Sequence, residues 1–237
     1  PDAKTIWDFK QLLEKDDRDG SRKLFTLFGQ ILQGQGMLAK EGSIVDASFV
    51  AAPRQRNSRE ENAQIKAGER PEAFDSKTVR RRQKDCDARW TKKNNEVHYG
   101  YKNHAKVDAK TKLVSGYATT AASVHDSQAF EELIDDDDEA VFADSAYLSE
   151  SNREHLLKKN CQDFILFKAN RNRPLSEEEL VTNKMRSRIR VRCEHVFGRM
   201  SQMAMDRLRT IGLVRANQHN AFSNLVYNMD RYAFLLR

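Results

Sequence analysis

The spacing of apolar residues changes character at Gly42, and that change limits the folds open to this chain. Before it, Ile6, Phe9, Leu12 and Leu13, then Leu24, Phe25, Leu27, Phe28, Ile31 and Leu32, recur at intervals of three and four, which predicts two amphipathic helices. Asp2 is placed to cap the first, the polar stretch 16–20 ends it, and Gly34 and Gly36 close the second, over about 21–33. After Gly42 the run 43–51 is short, rich in β-branched residues and stopped by Pro53, which predicts a strand. Segments 98–107 and 113–120 predict an antiparallel pair joined by the polar loop 108–112. Next come a helix capped by Asp126 and reaching Ile134, a buried strand at 140–144, a helix at 150–159 and an apolar strand at 163–168. Ile189, Cys193, Val196, Phe197, Met200 and Ala204 then share one helical face, and Ala221, Leu225, Met229 and Tyr232 share another. The alternation in 186–192 also suits a strand, but the apolar spacing beyond it favours helix. This order predicts an α/β fold, a mixed five-stranded sheet flanked by helices, with a helical segment over 1–41 and the main domain over 42–237.

Between the first two strands, residues 54–94 lack apolar periodicity and carry thirteen basic residues against seven acids, among them the run Arg80, Arg81 and Arg82. They read as a basic insertion. The whole chain has 41 Lys+Arg against 35 Asp+Glu, a net charge of +6, and a mean hydropathy of −0.78, which favours a polyanionic partner. No apolar run approaches the roughly 20 residues of a membrane span. No leader pattern opens the chain, so the cytoplasm is the expected compartment. Cys86, Cys161 and Cys193 are odd in number and scattered, fitting reduced thiols better than a disulfide framework or a zinc site.

Two acids interrupt strands that otherwise read as buried: Asp46 after Ile44-Val45, and Asp144 after Val141-Phe142-Ala143. A carboxylate there is costly unless it is paired or binds a cation, although an Asp at a strand end also serves as a turn cap. Glu194 is a third acid, in a helix crowded with arginine. Arg190, one helical turn earlier, offers it a simple ion pair as the alternative role. Three carboxylates converging from two strands and a helix would supply hard oxygen ligands for two Mg²⁺ ions, the arrangement of metal-assisted phosphoryl chemistry.

Five segments in order resemble the insertion-sequence transposases that carry a DDE catalytic triad on a ribonuclease H-like fold. They are 42–53 (GSIVDASFVAAP), 99–108 (YGYKNHAKVD), 121–126 (AASVHD), 142–147 (FADSAY) and 190–198 (RVRCEHVFG). The resemblance implies that Asp46, Asp144 and Glu194 are the catalytic, metal-ligating triad, served by two Mg²⁺ or Mn²⁺ ions. It implies hydrolysis of a strand at the transposon end and attack of the freed 3′-hydroxyl on target DNA. The partners it implies are double-stranded DNA, as terminal inverted repeats and target, and a second copy of the chain in a homodimer. The implied setting is a bacterial, nucleoid-associated cytoplasmic protein. Of the Tyr-Arg-Glu-Lys signature common in the family, Arg190 is present while Ser187 and Ser201 replace the Tyr and Lys. Only 50 residues separate Asp144 from Glu194, too few for the large β-rich insertion of some relatives. A metal-dependent nuclease of the same fold and a DNA-binding relative without activity are the competing readings.

Other residues carry weaker expectations. Lys102 and His104 share side-chain parity on their strand and are candidates for phosphate contact, as are Arg186, Arg188 and Arg190. His125 and Asp126 are candidates for supporting the active site, with Asp126 as a plain helix cap the alternative. His195 points about 100° from Glu194 and suits packing or DNA contact. Trp90 either stacks on a base or anchors the insertion, with anchoring favoured. The acidic run 135–139 reads as a solvated loop. The first two helices are candidates for DNA binding or dimerisation.

Overall fold

The computed structural model of the chain describes residues 1–38, 41–75, 83–171 and 173–237. Its centre is a mixed sheet of six strands: β1 (Ser43–Ala51), β2 (Arg89–Lys93), β3 (Glu96–Asp108), β4 (Val114–Ala121), β5 (Ala140–Ala143) and β6 (Gln162–Ile165). Their order is β2-β3-β1-β5-β6, with β4 paired to β3. β1 runs antiparallel to β3 and parallel to β5, which is parallel to β6. Among the described residues the α-helices are α1 (Ala3–Glu14), α2 (Gly20–Gly34), α3 (Arg59–Lys66), α4 (Phe130–Leu133), α5 (Glu150–Lys158), α6 (Glu177–Gln202) and α7 (Leu213–Leu235).

The sixth strand corrects the sequence reading, in which the basic insertion has no secondary structure of its own. The insertion holds α3, closed at its start by a capping box between Ser58 and Glu61, and it ends in β2. β2 forms because Asn94 and Asn95 both take positive φ, 49° and 65°, the conformation of a two-residue turn that returns the chain as β3. Arg80, Arg81 and Arg82 lie outside the described residues.

Each face of the sheet buries a separate core. On one, Ile44, Ala105 and Val107 meet Phe25 of α2, Cys193, Val196 and Met200 of α6, and Ala221 and Leu225 of α7. On the other, Val45, Val141, Ala143 and Ile165 meet Phe130 and Leu133 of α4, Tyr147, and Leu156 of α5. The period-2 alternation of β1 is therefore buried on both sides, which is why its sequence reads as continuous and apolar.

α7 is attached to the sheet by amides as well as by hydrocarbon. Asn220, Asn224 and Asn228, at four-residue spacing on one face, are all buried. Asn224 exchanges hydrogen bonds with Asn103 (3.1 and 3.2 Å), Asn228 both accepts from and donates to the Val114 backbone (2.8 Å each), and Asn220 donates to Thr119 Oγ1 (2.8 Å). The apolar face read from the sequence is shifted accordingly: Ala221 and Leu225 are buried, but Met229 is 47% exposed.

The acidic run 135–139 is exposed, as its reading as a solvated loop expects, except at Asp138, which is buried. Lys106 of β3 is fully buried, and a buried ammonium requires counter-charge. Asp138, equally buried, and Asp135 supply it at 2.7 and 2.6 Å, while Ser43 donates to the other Asp138 oxygen at 2.7 Å. Among the described residues no helix is long and apolar enough to cross a membrane.

Candidate active site

Asp46 and Asp144 come together through strand pairing. Val45 pairs with Ala143 in the parallel β1–β5 ladder, so the next residue of each strand, Asp46 within β1 and Asp144 just past the end of β5, extends from the same sheet face where that ladder stops. Asp144 directly follows β5. It accepts the Ser145 backbone N–H at 2.6 Å, so it caps a short turn as well as facing Asp46. Open α/β sheets present ligand sites at this end of their parallel strands.

α6 crosses this face. Its Arg190 Nη1 donates to Asp46 Oδ2 at 2.6 Å, and the other Asp46 oxygen accepts the Ala47 N–H at 2.9 Å. Burial pushes the Asp46 carboxyl above its ordinary value of 3.8, against the opposing pull of Arg190 and Lys93, while the charge of Asp144 pushes it further up. The pair is only 19% and 16% exposed, and Arg190 Nε is buried without an acceptor among the described residues. Arg190 is thus the cation that accompanies Asp46, and the helical ion pair with Glu194 considered from the sequence does not form. This partnership across 144 residues has no local sequence signal.

Glu194 lies one turn beyond Arg190, about 6 Å along the axis. Its neighbour Cys193 is fully buried, and its thiol is raised well above its ordinary value by burial first and then by Asp46. The Glu194 side chain itself is exposed and has no hydrogen bond or ion pair among the described residues. No three His, Cys, Asp or Glu side chains among the described residues converge closely enough to hold a metal ion. Two carboxylates of the expected three are therefore adjacent, and the third stands on the helix above them.

Tyr147 is a site residue to which the sequence reading gives no role. It is completely buried with its hydroxyl unpartnered among the described residues, and burial, then Asp46, Asp126 and Asp144, raise it well above its ordinary value. Its hydroxyl belongs to the apolar core on the Val45 face of the sheet and hydrogen-bonds to none of these carboxylates.

The remaining candidates divide by face. Asp46 pairs with Ala105, so Lys102 and His104, of opposite parity to Ala105, project from the other side of the sheet. Lys102 Nζ donates to Asp126 Oδ1 and to the Val124 carbonyl, both at 2.7 Å. His104 is fully buried with Nε2 2.8 Å from Thr120 Oγ1, and burial lowers it to about 4. The helix cap expected of Asp126 belongs instead to His125, whose ring accepts the Ser127 N–H at 3.3 Å. Asp126 is free to pair with Lys102 for that reason. Arg186 donates to the Ile165 carbonyl at 2.5 Å and stacks on Phe167 at 4.8 Å, whereas Arg188 is exposed. His195 meets Lys112 Nζ at 2.9 Å. Trp90 is 46% exposed, with its ring 4.7 Å from that of Tyr99 on β3 and Arg54 of the insertion over it.

The chain thus has a mixed sheet flanked by helices, with one aspartate, Asp46, within its first strand and another, Asp144, just past its fifth. The model of the transposase DDE domain family matches residues 38–229, and the chain belongs to that family. No solved structure matches it. The fold agrees with the ribonuclease H-like expectation, with six strands in place of five.

Members of this family generally use divalent metal ions, and the described residues offer such an ion two adjacent carboxylates, with the third still apart. Asp46 and Asp144 carry hard oxygen donors, the charge of Asp144 works against that of Asp46, and Asp46 already holds a cation in the form of the Arg190 guanidinium.

Proposed function

We propose that this chain cleaves DNA at the ends of its own element and joins the freed 3′-hydroxyl to target DNA, with Asp46, Asp144 and Glu194 as its catalytic carboxylates. The observation that carries the reading is the placement of Asp46 and Asp144 on one face where the parallel ladder of β1 and β5 stops, beneath the helix bearing Glu194. Asp46 and Asp144 would hold the metal, with Glu194 completing the donor set from α6. Bound there, divalent ions would supply Lewis acidity for the attacking and leaving oxygens at phosphorus. The chain's own contribution is position and charge. β1 and β5 fix the two aspartates, and α6 delivers Arg190 as counter-charge. Double-stranded DNA is the proposed substrate, and joining two ends calls for two copies of the chain.

The test is cleavage of supercoiled plasmid in Mg²⁺ and Mn²⁺ by the parent, Asp46→Asn, Asp144→Asn and Glu194→Gln at equal folded concentration. Loss of metal-dependent cleavage in all three supports the triad, and parent-like activity in any of them removes that residue from it. Strand transfer from pre-cleaved ends then separates a transposase from a nuclease. DNA affinity without cleavage would point to a binding protein.

A further inference from the structure

Two basic segments far apart in the sequence meet at the end of β1. Residues 206–208 are stitched to that end: the Ala51 N–H donates to the Asp206 carbonyl at 2.9 Å, and the Leu208 N–H donates to the Ala51 carbonyl at 2.8 Å. This brings the segment after α6 against the start of the basic insertion. Arg54, Arg56 and Lys84 of the insertion line one open cleft of about 630 Å³ together with Arg209 and Arg215, and among the described residues no carboxylate lines it. Lys84 is fixed by hydrogen bonds to the Arg56 carbonyl (2.5 Å) and Asn57 Oδ1 (2.6 Å). Arg54 stands over the Trp90 ring, 5.8 Å from its centroid. None of the four guanidinium groups forms an ion pair among the described residues. Cations assembled without counter-charge repel one another, and a polyanion relieves that repulsion.

We propose that this cleft grips the phosphodiester backbone of duplex DNA flanking the cut. The assignment rests on the transposase reading and deepens it by naming where the flank is held. Ala51 lies five residues beyond Asp46, about 17 Å along an extended strand, which corresponds to about five nucleotide steps of a duplex strand. A backbone held there fixes the distance and direction from which a scissile phosphate reaches Asp46 and Asp144. It contributes affinity and register, with no base recognition of its own.

The experiment measures binding of the intact chain to a fluorescein-labelled duplex by anisotropy, between about 50 and 200 mM salt. Arg215 also borders a neighbouring cavity that contains Asp8, Glu14 and Asp87, so the variants are placed at Arg54 and Arg209. Each phosphate neutralised by a side-chain cation adds about 0.9 to the steepness of log K against log salt, so Arg54→Ala/Arg209→Ala is expected to flatten the slope by about 1.8. Arg54→Lys/Arg209→Lys keeps the parent slope, as does Lys158→Ala on α5, across the sheet. Circular dichroism and an unchanged melting temperature establish that the double variant is folded. An unchanged slope in the folded alanine variant overturns the proposal, as does a parent that binds no DNA. A parent that binds with the expected slopes but cleaves nothing refutes the catalytic reading and leaves the cleft standing.

Discussion

Replacing Arg190 with alanine removes the guanidinium 2.6 Å from Asp46 Oδ2 and leaves that carboxylate in a site where 84% of its side-chain surface is already shielded. Breaking a buried ion pair by deleting one partner costs about 3–5 kcal/mol. The residual exposure of this pair places the loss near the lower end, about 3 kcal/mol. For a chain of this size, 1 kcal/mol corresponds to about 2–4 °C in melting temperature, so metal-free Arg190→Ala is expected to melt about 6–12 °C below the parent at pH 8. Burial already holds Asp46 above 3.8, and Arg190 is the largest opposing influence, so its removal raises the folded value further. A carboxyl raised on folding favours the native state while it is protonated and loses that contribution as pH rises through its folded value. The deficit of Arg190→Ala relative to the parent therefore shrinks as pH falls from about 8 towards 4.5, because the variant neutralises Asp46 by taking up a proton. Mn²⁺ should raise the melting temperature of the variant more than that of the parent, a second cation replacing the first. The assay is scanning calorimetry at both pH values with and without Mn²⁺. A parent-like melting temperature at pH 8, or a deficit equal at both pH values, would refute the assignment of Arg190 as counter-ion to Asp46.

Three further outcomes follow from features away from the carboxylates. Lys106→Met strands Asp138 in the core and should cost about 3–5 kcal/mol by urea unfolding, and a double variant with Asp138→Leu should recover much of the loss. Gly100 has φ +146° and a Cβ there would meet the Val50 carbonyl oxygen at 2.3 Å, so Gly100→Ala should lower the yield of folded protein and cost more than about 2 kcal/mol. His104 is lowered to about 4 by burial, against an ordinary 6.5, so the unfolded chain binds the proton first and stability falls as pH drops from 6.5 towards 4. His104→Gln should flatten that part of the pH–stability curve by about 2–4 kcal/mol, and a curve of unchanged steepness would show that the ring is charged in the fold.

Most of the strand and helix order is legible because period and punctuation agree: β1 between Gly42 and Pro53, and α6 in the apolar spacing from Ile189. β2 escapes a reading of periodicity because its residues, Arg89-Trp90-Thr91-Lys92-Lys93, lie on an exposed, basic stretch with little apolar signal, although Asn94-Asn95 is a readable turn. The pairing of Asp46 with Asp144 follows from strand order, so two of the site's carboxylates can be anticipated. Arg190 opposite Asp46 cannot, since a helix offers its arginines to solvent, to its own turn or across the fold with equal ease. The role of Asp126 is hidden for a related reason. His125 is an uncommon cap, and nothing local reveals that Lys102 is waiting across the sheet.

The amides along α7 have a consequence for how the chain reaches its native state. A helix seated by hydrocarbon alone can roll about its axis at modest cost, but Asn224 matched to Asn103 and Asn228 matched to both backbone groups of Val114 fix which face meets the sheet. A roll of one residue, about 100°, would turn these amides from their partners, at about 1–3 kcal/mol for each group buried unpaired. α7 therefore behaves as a key cut for one lock. Its docking reports whether β3 and β4 are already in register, and a chain whose hairpin has mispaired cannot close over the error.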